Sequence, residues 1–213
     1  MVQSAMRRVP WYFDFVSPFS YLCLARLGEL PGDVALEYRP VLFAGLLARY
    51  GQKGPAEIDV KRRWTYRWCQ WSAERLGIAF RFPAAHPFNP LPHLRLAVAA
   101  GSTPQAVRAI FEDLWTTGAD PADGARFSAL SAKLGVDPAR LASAEVKEGL
   151  RRNTDKAAAA GVFGVPSFLV DGEVFWGVDS LDFLKAFLAD PALLAAQEMR
   201  RIDALPVGAQ RRT

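Results

Sequence analysis

Cysteine and histidine are both scarce in this sequence. Of its 213 residues, two are cysteines and two are histidines. Two thiols, Cys23 and Cys69, are too few for a disulfide framework or for a cysteine-based metal cluster. Three prolines separate His86 from His93, and we do not interpret the two as a metal-binding pair. We therefore expect no metal site and interpret both cysteines as buried or semi-buried thiols.

Long uninterrupted apolar runs are also lacking. Although 51% of the residues are hydrophobic, charged residues interrupt every stretch that is long enough to cross a bilayer. Arg7 and Arg8 precede an apolar segment, but Asp14 breaks it, and no convincing signal-peptide cleavage site follows. The net charge of +4 comes from scattered basic residues without a nucleic-acid-binding motif. We expect a cytoplasmic protein with neither a membrane nor a nucleic-acid partner.

The predicted elements indicate an α/β fold that is interrupted by helices. The run at 9–16 predicts a buried strand, 18–30 a helix and 34–41 a second strand, which together form a βαβ unit. After Ala44 apolar residues recur at helical spacing, as in Val60, Trp64, Trp68 and Trp71, and in Val107, Ile110, Phe111 and Leu114. We interpret the three tryptophans as core packing, with an aromatic wall for a flat substrate as the alternative.

The final third of the chain predicts a hairpin followed by a helix. Asp171-Gly172 separates two short runs of β-branched and aromatic residues, which is a strong signal for a two-residue hairpin turn. An amphipathic helix then places Leu181, Leu184 and Leu188 on one side. These elements complete the predicted sheet domain.

The segment Ser17-Pro18-Phe19-Ser20 lies where the first predicted strand gives way to the first predicted helix. Pro18 suits the first turn of a helix, so Ser17 takes the N-cap position, beside free backbone N–H groups and the positive end of the helix dipole. Such a position stabilises an anion. In thioredoxin-like disulfide oxidoreductases a Cys-x-x-Cys motif occupies this turn, and the dipole lowers the pKa of its first thiol. Here serine stands at both cysteine positions.

A second motif lies far along the chain, where Val165-Pro166 precedes the hairpin and Trp-Gly-x-Asp follows it at 176–179. Together with Ser-Pro-Phe-Ser, these segments resemble the glutathione-dependent 2-hydroxychromene-2-carboxylate isomerases, a family close to kappa-class glutathione transferases and DsbA-like proteins. The resemblance spans nearly the whole chain. It implies a thioredoxin-like domain with an all-helical insertion, divided as 1–44 and 155–213 for the first and 45–154 for the second.

The resemblance also implies a glutathione site. Ser17 would donate a hydrogen bond to the glutathione sulfur, and the bound thiol would replace the cysteine that this turn lacks. Val165 would pair through its backbone with the extended peptide of glutathione, and a cis peptide bond before Pro166 would keep that edge exposed. Asp179 and Ser180 would bind the γ-glutamyl end, where an arginine commonly follows the aspartate in the family. The alternative for Ser17 and Asp179 is a plain helix N-cap.

The helical insertion would supply the pocket for a small aromatic carboxylate. Lys53 would pair with the carboxylate, with a solvated lysine as the alternative. The stiff loop His86-Pro87-Phe88-Asn89-Pro90 would lie at the mouth of the site, with Asn89 as its best polar contact. The resemblance further implies a homodimer.

The function implied is a glutathione-dependent isomerisation of 2-hydroxychromene-2-carboxylate to trans-o-hydroxybenzylidenepyruvate in aromatic-ring degradation. A kappa-like glutathione transferase would use the same residues but release a conjugate. A DsbA-like disulfide oxidoreductase is disfavoured, because it requires a redox pair of cysteines at positions 17 and 20. A binding protein without catalytic activity would keep the fold and lose the thiol site.

Overall fold

One mixed β-sheet organises the fold. The computed structural model describes residues 6–209. Its strands are β1 (Arg7–Phe13), β2 (Val34–Pro40), β3 (Ser167–Val170) and β4 (Glu173–Trp176). They are ordered β2-β1-β3-β4, with β1 parallel to β2 and antiparallel to β3, and β3 antiparallel to β4. The predicted βαβ unit and hairpin are both confirmed.

Helices cover the sheet and fill the long connection between β2 and β3. In chain order they are α1 (Pro18–Arg26), α2 (Phe43–Arg49), α3 (Asp59–Arg75), α4 (Leu91–Ala99), α5 (Pro104–Trp115), α6 (Gly124–Lys133), α7 (Ala144–Ala159), α8 (Leu181–Ala189) and α9 (Gln197–Asp203). Helices α2 to α7 lie between β2 and β3, which confirms a helical insertion between the strands. The domain boundaries at 44/45 and 154/155 stay predictions. None of the helices in residues 6–209 is long and apolar enough to span a membrane.

Strand β1 divides its side chains between two apolar clusters. Trp11 and Phe13 are fully buried in the larger cluster, whereas Tyr12 belongs to a smaller one that includes Val165. This division follows from the alternation of side chains along a strand. The strand ends at Phe13, earlier than expected, because its pairing with β2 stops at Pro40 and the next residues turn towards α1.

Helix α5 packs its apolar side into the larger cluster. Thr103 caps it by accepting a hydrogen bond from the Ala106 N–H at 3.2 Å, and Pro104 occupies the first turn. The four apolar residues that recur at helical spacing are all buried: Val107, Ile110, Phe111 and Leu114. The helical periodicity therefore identified this element correctly.

Helix α3 contradicts the core interpretation of its tryptophans. Trp64 is 61% exposed and Trp71 is 55% exposed, whereas Trp68 is partly buried against Phe19, with ring centroids 5.5 Å apart. The buried side of α3 consists of small residues, namely Thr65, Cys69, Ser72 and Ala73. Their small volume lets the helix lie close to its neighbours and leaves the large rings on its outer side.

Helix α8 closes the larger cluster behind the hairpin. Leu181, Leu184 and Leu188 are all buried, as their spacing predicts. The helix is followed by α9, which the sequence interpretation did not anticipate. The turn from β4 into α8 places residues 177–179 in the wall of a cavity.

Candidate active site

Ser17 is the N-cap of helix α1. Its backbone is extended (φ −91°, ψ 113°), and its Oγ accepts a hydrogen bond from the Ser20 N–H at 3.2 Å. Pro18 follows in the first turn of the helix, as predicted. Ser17 is 6% exposed and lines a cavity. A hydroxyl group and the positive end of a helix dipole therefore meet in the wall of this cavity.

The cavity beside Ser17 has a volume of about 400 Å³ and a mostly apolar wall. Phe43 from α2 and Phe88 from the loop before α4 line it, so the helical insertion forms much of its surface. Val165 and Trp176 border it on the side of the sheet domain. This volume falls within the range of ordinary small-molecule sites.

A second cavity of about 640 Å³ shares Phe19, Val165 and Trp176 with the first. Its wall combines Trp64 and Trp68 of α3 with residues 176–179 of the hairpin exit. The shared residues make the two cavities neighbouring parts of one groove. The tryptophans thus line a groove, which supports the aromatic-wall alternative for Trp64 and Trp68.

The peptide bond between Val165 and Pro166 is cis, as the resemblance implies. Val165 is 5% exposed and lines both cavities. Among residues 6–209 its backbone N–H and C=O have no hydrogen-bond partner, whereas the Pro166 carbonyl accepts from the Gly177 N–H at 2.9 Å. Buried backbone groups are rarely left unpaired, so the edge at Val165 is suited to an added extended peptide.

Asp179 and Ser180 precede helix α8 in a short 3₁₀ turn, Val178–Ser180. The Asp179 side chain is exposed and lines the second cavity. Its carboxylate forms no ion pair within the part of the chain that the structure describes, so it is available to a cationic ligand group. The Ser180 hydroxyl already donates to the Gly177 carbonyl at 2.8 Å, and no side chain in the described part of the chain caps α8.

The two predicted substrate contacts differ in position. Lys53 is exposed and lines the Ser17 cavity from the loop after α2. Asn89 is not part of either cavity wall. Its Oδ1 accepts a hydrogen bond from the Leu91 N–H at 3.1 Å, at the start of helix α4. The cavity wall takes Pro87, Phe88 and Pro90 from this loop instead.

The sequence interpretation assigned no contact in the site to Asp14 or His86, two ionisable residues of the cavity wall. Asp14 is fully buried, and its burial raises the pKa of the carboxyl group to about 7 against the opposing effect of backbone hydrogen bonds. Burial also lowers the pKa of His86, although its hydrogen bond to Val16 opposes the shift. A signal for Asp14 was present, since a carboxylate inside a buried aromatic run requires an explanation.

Neither cysteine can replace the thiol that is missing at Ser17. Cys23 and Cys69 are both fully buried, and burial raises the pKa of each thiol to about 12. Their burial confirms the interpretation from the sequence, and the raised pKa values disfavour a thiolate at either position. The Ser17 turn can stabilise an anion, and a thiol there has to come from a ligand.

Comparison with known proteins agrees with this architecture. The DSBA-like thioredoxin domain family matches residues 8–189. The chain is 29% identical over 194 residues to the 2-hydroxychromene-2-carboxylate isomerase of Sphingobium xenophagum, covering 86% of this chain and 99% of the relative. It is 32% identical over 196 residues to the enzyme of the same name from Pseudomonas putida, with 84% and 92% covered. Glutathione S-transferase kappa 2 of Caenorhabditis elegans is 27% identical, with 86% and 92% covered.

A solved structure of a 2-hydroxychromene-2-carboxylate isomerase superposes with a TM-score of 0.74 at 26% identity. The match covers 93% of this chain and all of that one. The α/β thioredoxin-like fold with a helical insertion and the family resemblance are both confirmed. The chain belongs to the DSBA-like thioredoxin domain family and, within it, to the proteins that resemble 2-hydroxychromene-2-carboxylate isomerases.

Proposed function

We propose that this protein is a glutathione-dependent isomerase that interconverts 2-hydroxychromene-2-carboxylate and trans-o-hydroxybenzylidenepyruvate. The observation that carries the proposal is the Ser17 N-cap, a hydroxyl at a helix N-terminus that lines an apolar cavity without any protein thiol. The 2-hydroxychromene-2-carboxylate isomerases among its relatives support the choice of substrate.

The residues of the groove fit glutathione. The backbone of Val165, which has no hydrogen-bond partner among residues 6–209, offers one donor and one acceptor to an extended peptide. Asp179 presents a carboxylate for the α-ammonium group of glutathione. Asp179 lines the second cavity and Ser17 lines the first, and the two cavities share part of their walls. The Ser180 hydroxyl, held by Gly177, would reach the γ-glutamyl carboxylate only by exchanging that partner. Ser180 is therefore the weaker of the two proposed contacts.

The hemiketal ring of the substrate would first open, with the C–O bond breaking and the hemiketal proton passing to the phenolate oxygen. When bound, glutathione would supply a thiolate that adds reversibly to the conjugated carbon chain and leaves again after the former double bond has rotated. A free thiol with a pKa near 8.5 is only ~3% ionised at pH 7. Ser17 would lower this pKa by donating a hydrogen bond from its hydroxyl group to the thiolate sulfur, together with the dipole of α1. Lys53 would hold the substrate carboxylate, while Phe43 and Phe88 exclude water from the reacting carbons.

A test of this proposal follows the absorbance of 2-hydroxychromene-2-carboxylate with and without added glutathione. The isomerase should require glutathione in catalytic amounts, and the total glutathione should be unchanged after many turnovers. Full turnover after thorough removal of thiols would refute the proposal. Identification of the product as trans-o-hydroxybenzylidenepyruvate would support it.

A kappa-like glutathione transferase is the second candidate, because the chain also resembles a kappa-class enzyme over most of its length. A transferase would consume glutathione stoichiometrically and release a conjugate. The same assay separates the two activities, since loss of free glutathione in proportion to product would favour the transferase.

A further inference from the structure

The turn that carries Ser17 is held by side chains of the helical insertion. The indole Nε1 of Trp115, at the end of α5, donates to the Phe15 carbonyl at 2.9 Å. The imidazole Nε2 of His86 lies 2.7 Å from the next carbonyl oxygen, that of Val16. Two consecutive carbonyls before Ser17 are therefore bound by residues that lie far away in the sequence.

The surroundings of His86 fix which ring nitrogen carries the proton. A carbonyl oxygen only accepts hydrogen bonds, so Nε2 is the donor to Val16. Nδ1 lies 2.6 Å from the hydroxyl oxygen of Tyr66, which also lies 2.8 Å from the His86 carbonyl oxygen. The Tyr66 hydroxyl has a single proton, which it donates to the His86 carbonyl oxygen or to Nδ1, and it contacts the ring in either case. With both nitrogens engaged, His86 is not free to act as a general base, although it lines the cavity.

The opposite side of the same backbone segment is held by Asp14. Its Oδ1 accepts from the Val16 N–H at 3.1 Å, and its Oδ2 accepts from the Phe43 N–H at 2.9 Å. The Asp14 carbonyl accepts from the Ser17 N–H at 3.1 Å. Val16 is thus bound through its N–H by Asp14 and through its carbonyl by His86.

We propose that His86, oriented by Tyr66, is a positioning residue for Ser17. The Val16 carbonyl and the Ser17 N–H belong to one planar peptide unit. A hydrogen bond to that carbonyl therefore fixes the orientation of the peptide plane that precedes Ser17 and the first turn of α1. The proposal rests on the proposed function of Ser17, and it adds that the insertion holds the catalytic turn as well as lining the substrate cavity.

Four variants test this role. His86→Leu removes the donor to Val16, whereas His86→Gln keeps an N–H near the position of Nε2. Tyr66→Phe removes the hydroxyl that orients the ring. Tyr21→Phe is the matched control, because the Tyr21 hydroxyl also donates to a carbonyl, that of Ala79 at 2.7 Å, without touching Val16.

The first readout is amide hydrogen exchange of segment 14–20, measured by mass spectrometry. We expect exchange to be about tenfold faster in His86→Leu and close to wild type in His86→Gln. The second readout is steady-state turnover, where kcat should fall about tenfold in His86→Leu and less in Tyr66→Phe, with KM for glutathione changed less than kcat.

Unchanged exchange of segment 14–20 in His86→Leu would overturn the proposal. An equal loss of kcat in Tyr66→Phe and Tyr21→Phe would also overturn it, because the effect would then be general destabilisation. If the wild-type protein shows no glutathione-dependent turnover, the proposed function fails, and the exchange comparison still decides whether His86 holds the turn. If His86→Leu does not fold, Tyr66→Phe against Tyr21→Phe decides it.

Discussion

Two serines of one short motif differ sharply in their surroundings. Ser17 Oγ lies in the cavity wall and accepts a hydrogen bond from the Ser20 N–H, whereas Ser20 Oγ is fully buried and has no hydrogen-bond partner within residues 6–209. The proposed chemistry needs only the first hydroxyl. The second occupies the position of a resolving cysteine without serving as one.

We expect Ser17→Ala to lower turnover about 100-fold, a loss typical of removing a donor that stabilises an anion. The free energy of unfolding of this variant should fall by about 1 kcal/mol, the usual contribution of an N-cap side chain. Ser20→Ala is the matched control and should keep both activity and stability, because it removes a buried hydroxyl that is unpaired in the structure. Steady-state assays and thermal unfolding of the wild type, Ser17→Ala and Ser20→Ala would measure turnover and stability. Turnover at the wild-type rate in Ser17→Ala would show that Ser17 has no part in the mechanism.

Asp14 makes stability depend on pH. Its pKa is about 7 in the folded chain against an ordinary value of 3.8, so the folded state holds more protons between about pH 4 and pH 7. The contribution of Asp14 to the free energy of unfolding therefore decreases as the pH rises through this window. His93, whose pKa burial lowers to about 4, produces the opposite trend over much of the same range.

Asp14→Asn isolates the contribution of Asp14. The free energy of unfolding of the variant minus that of wild type should become more positive as the pH rises from about 4 to about 7, since His93 affects both proteins equally. Urea denaturation at several pH values within this window would measure the difference. A difference that is constant with pH would show that the Asp14 carboxyl has an ordinary pKa.

At the scale of elements, the loop before β3 depends on a glycine. A Cβ on Gly164 would collide with the indole Nε1 of Trp176, the residue that borders both cavities. Trp176 also packs against Phe163, with ring centroids 5.1 Å apart. The absence of a side chain at Gly164 thus allows the indole of Trp176, on the hairpin, to lie against this loop at the edge of the groove.

We expect Gly164→Ala to displace Trp176 and weaken glutathione binding about tenfold, together with a loss of about 1–3 kcal/mol of stability from overpacking. Gly32→Ala is the control, because a Cβ there would meet no atom within 4 Å. Calorimetric titration with glutathione would measure the affinity of both variants. Equal affinities would mean that the position of Trp176 does not matter for the ligand.

Elements with strong periodicity or turn chemistry could be predicted from the sequence. Asp171-Gly172 gave the hairpin, and the spacing of Ile110 and Leu114 gave the buried side of α5. The tryptophans of α3 could not be placed, because periodicity identifies a helix face but not which face is buried. The buried face of α3 is the one that carries the small residues Cys69 and Ala73, because small side chains allow the helix to pack closely against its neighbours.

Part of the candidate site could also be predicted. Ser17, Val165 and Asp179 were found because local turn chemistry and family resemblance mark them, and the structure brings them to one groove. The His86 contact with Val16 spans 70 positions of sequence and carries no local signal. Asn89 was predicted as a polar contact because it lies in the stiff, proline-rich loop. Its side-chain oxygen instead accepts a hydrogen bond from the Leu91 N–H at the start of α4.

At the scale of the whole molecule, the family resemblance predicts a homodimer. Sedimentation equilibrium should then give a mass twice that of the 23.5 kDa chain. The measurement should be repeated with glutathione, since a ligand that binds only one assembly state shifts the equilibrium. A monomer at micromolar concentration in both conditions would contradict the prediction.

The proposed mechanism depends on a thiol that glutathione supplies and that the Ser17 turn ionises. The most direct test is a pH titration of the ultraviolet thiolate absorbance of glutathione bound to the protein. We expect the pKa of the bound thiol to lie about two units below that of free glutathione in the wild type and in Ser20→Ala, and near the free value in Ser17→Ala. A bound thiol with the pKa of free glutathione in the wild type, or an equal shift in Ser17→Ala, would contradict the account.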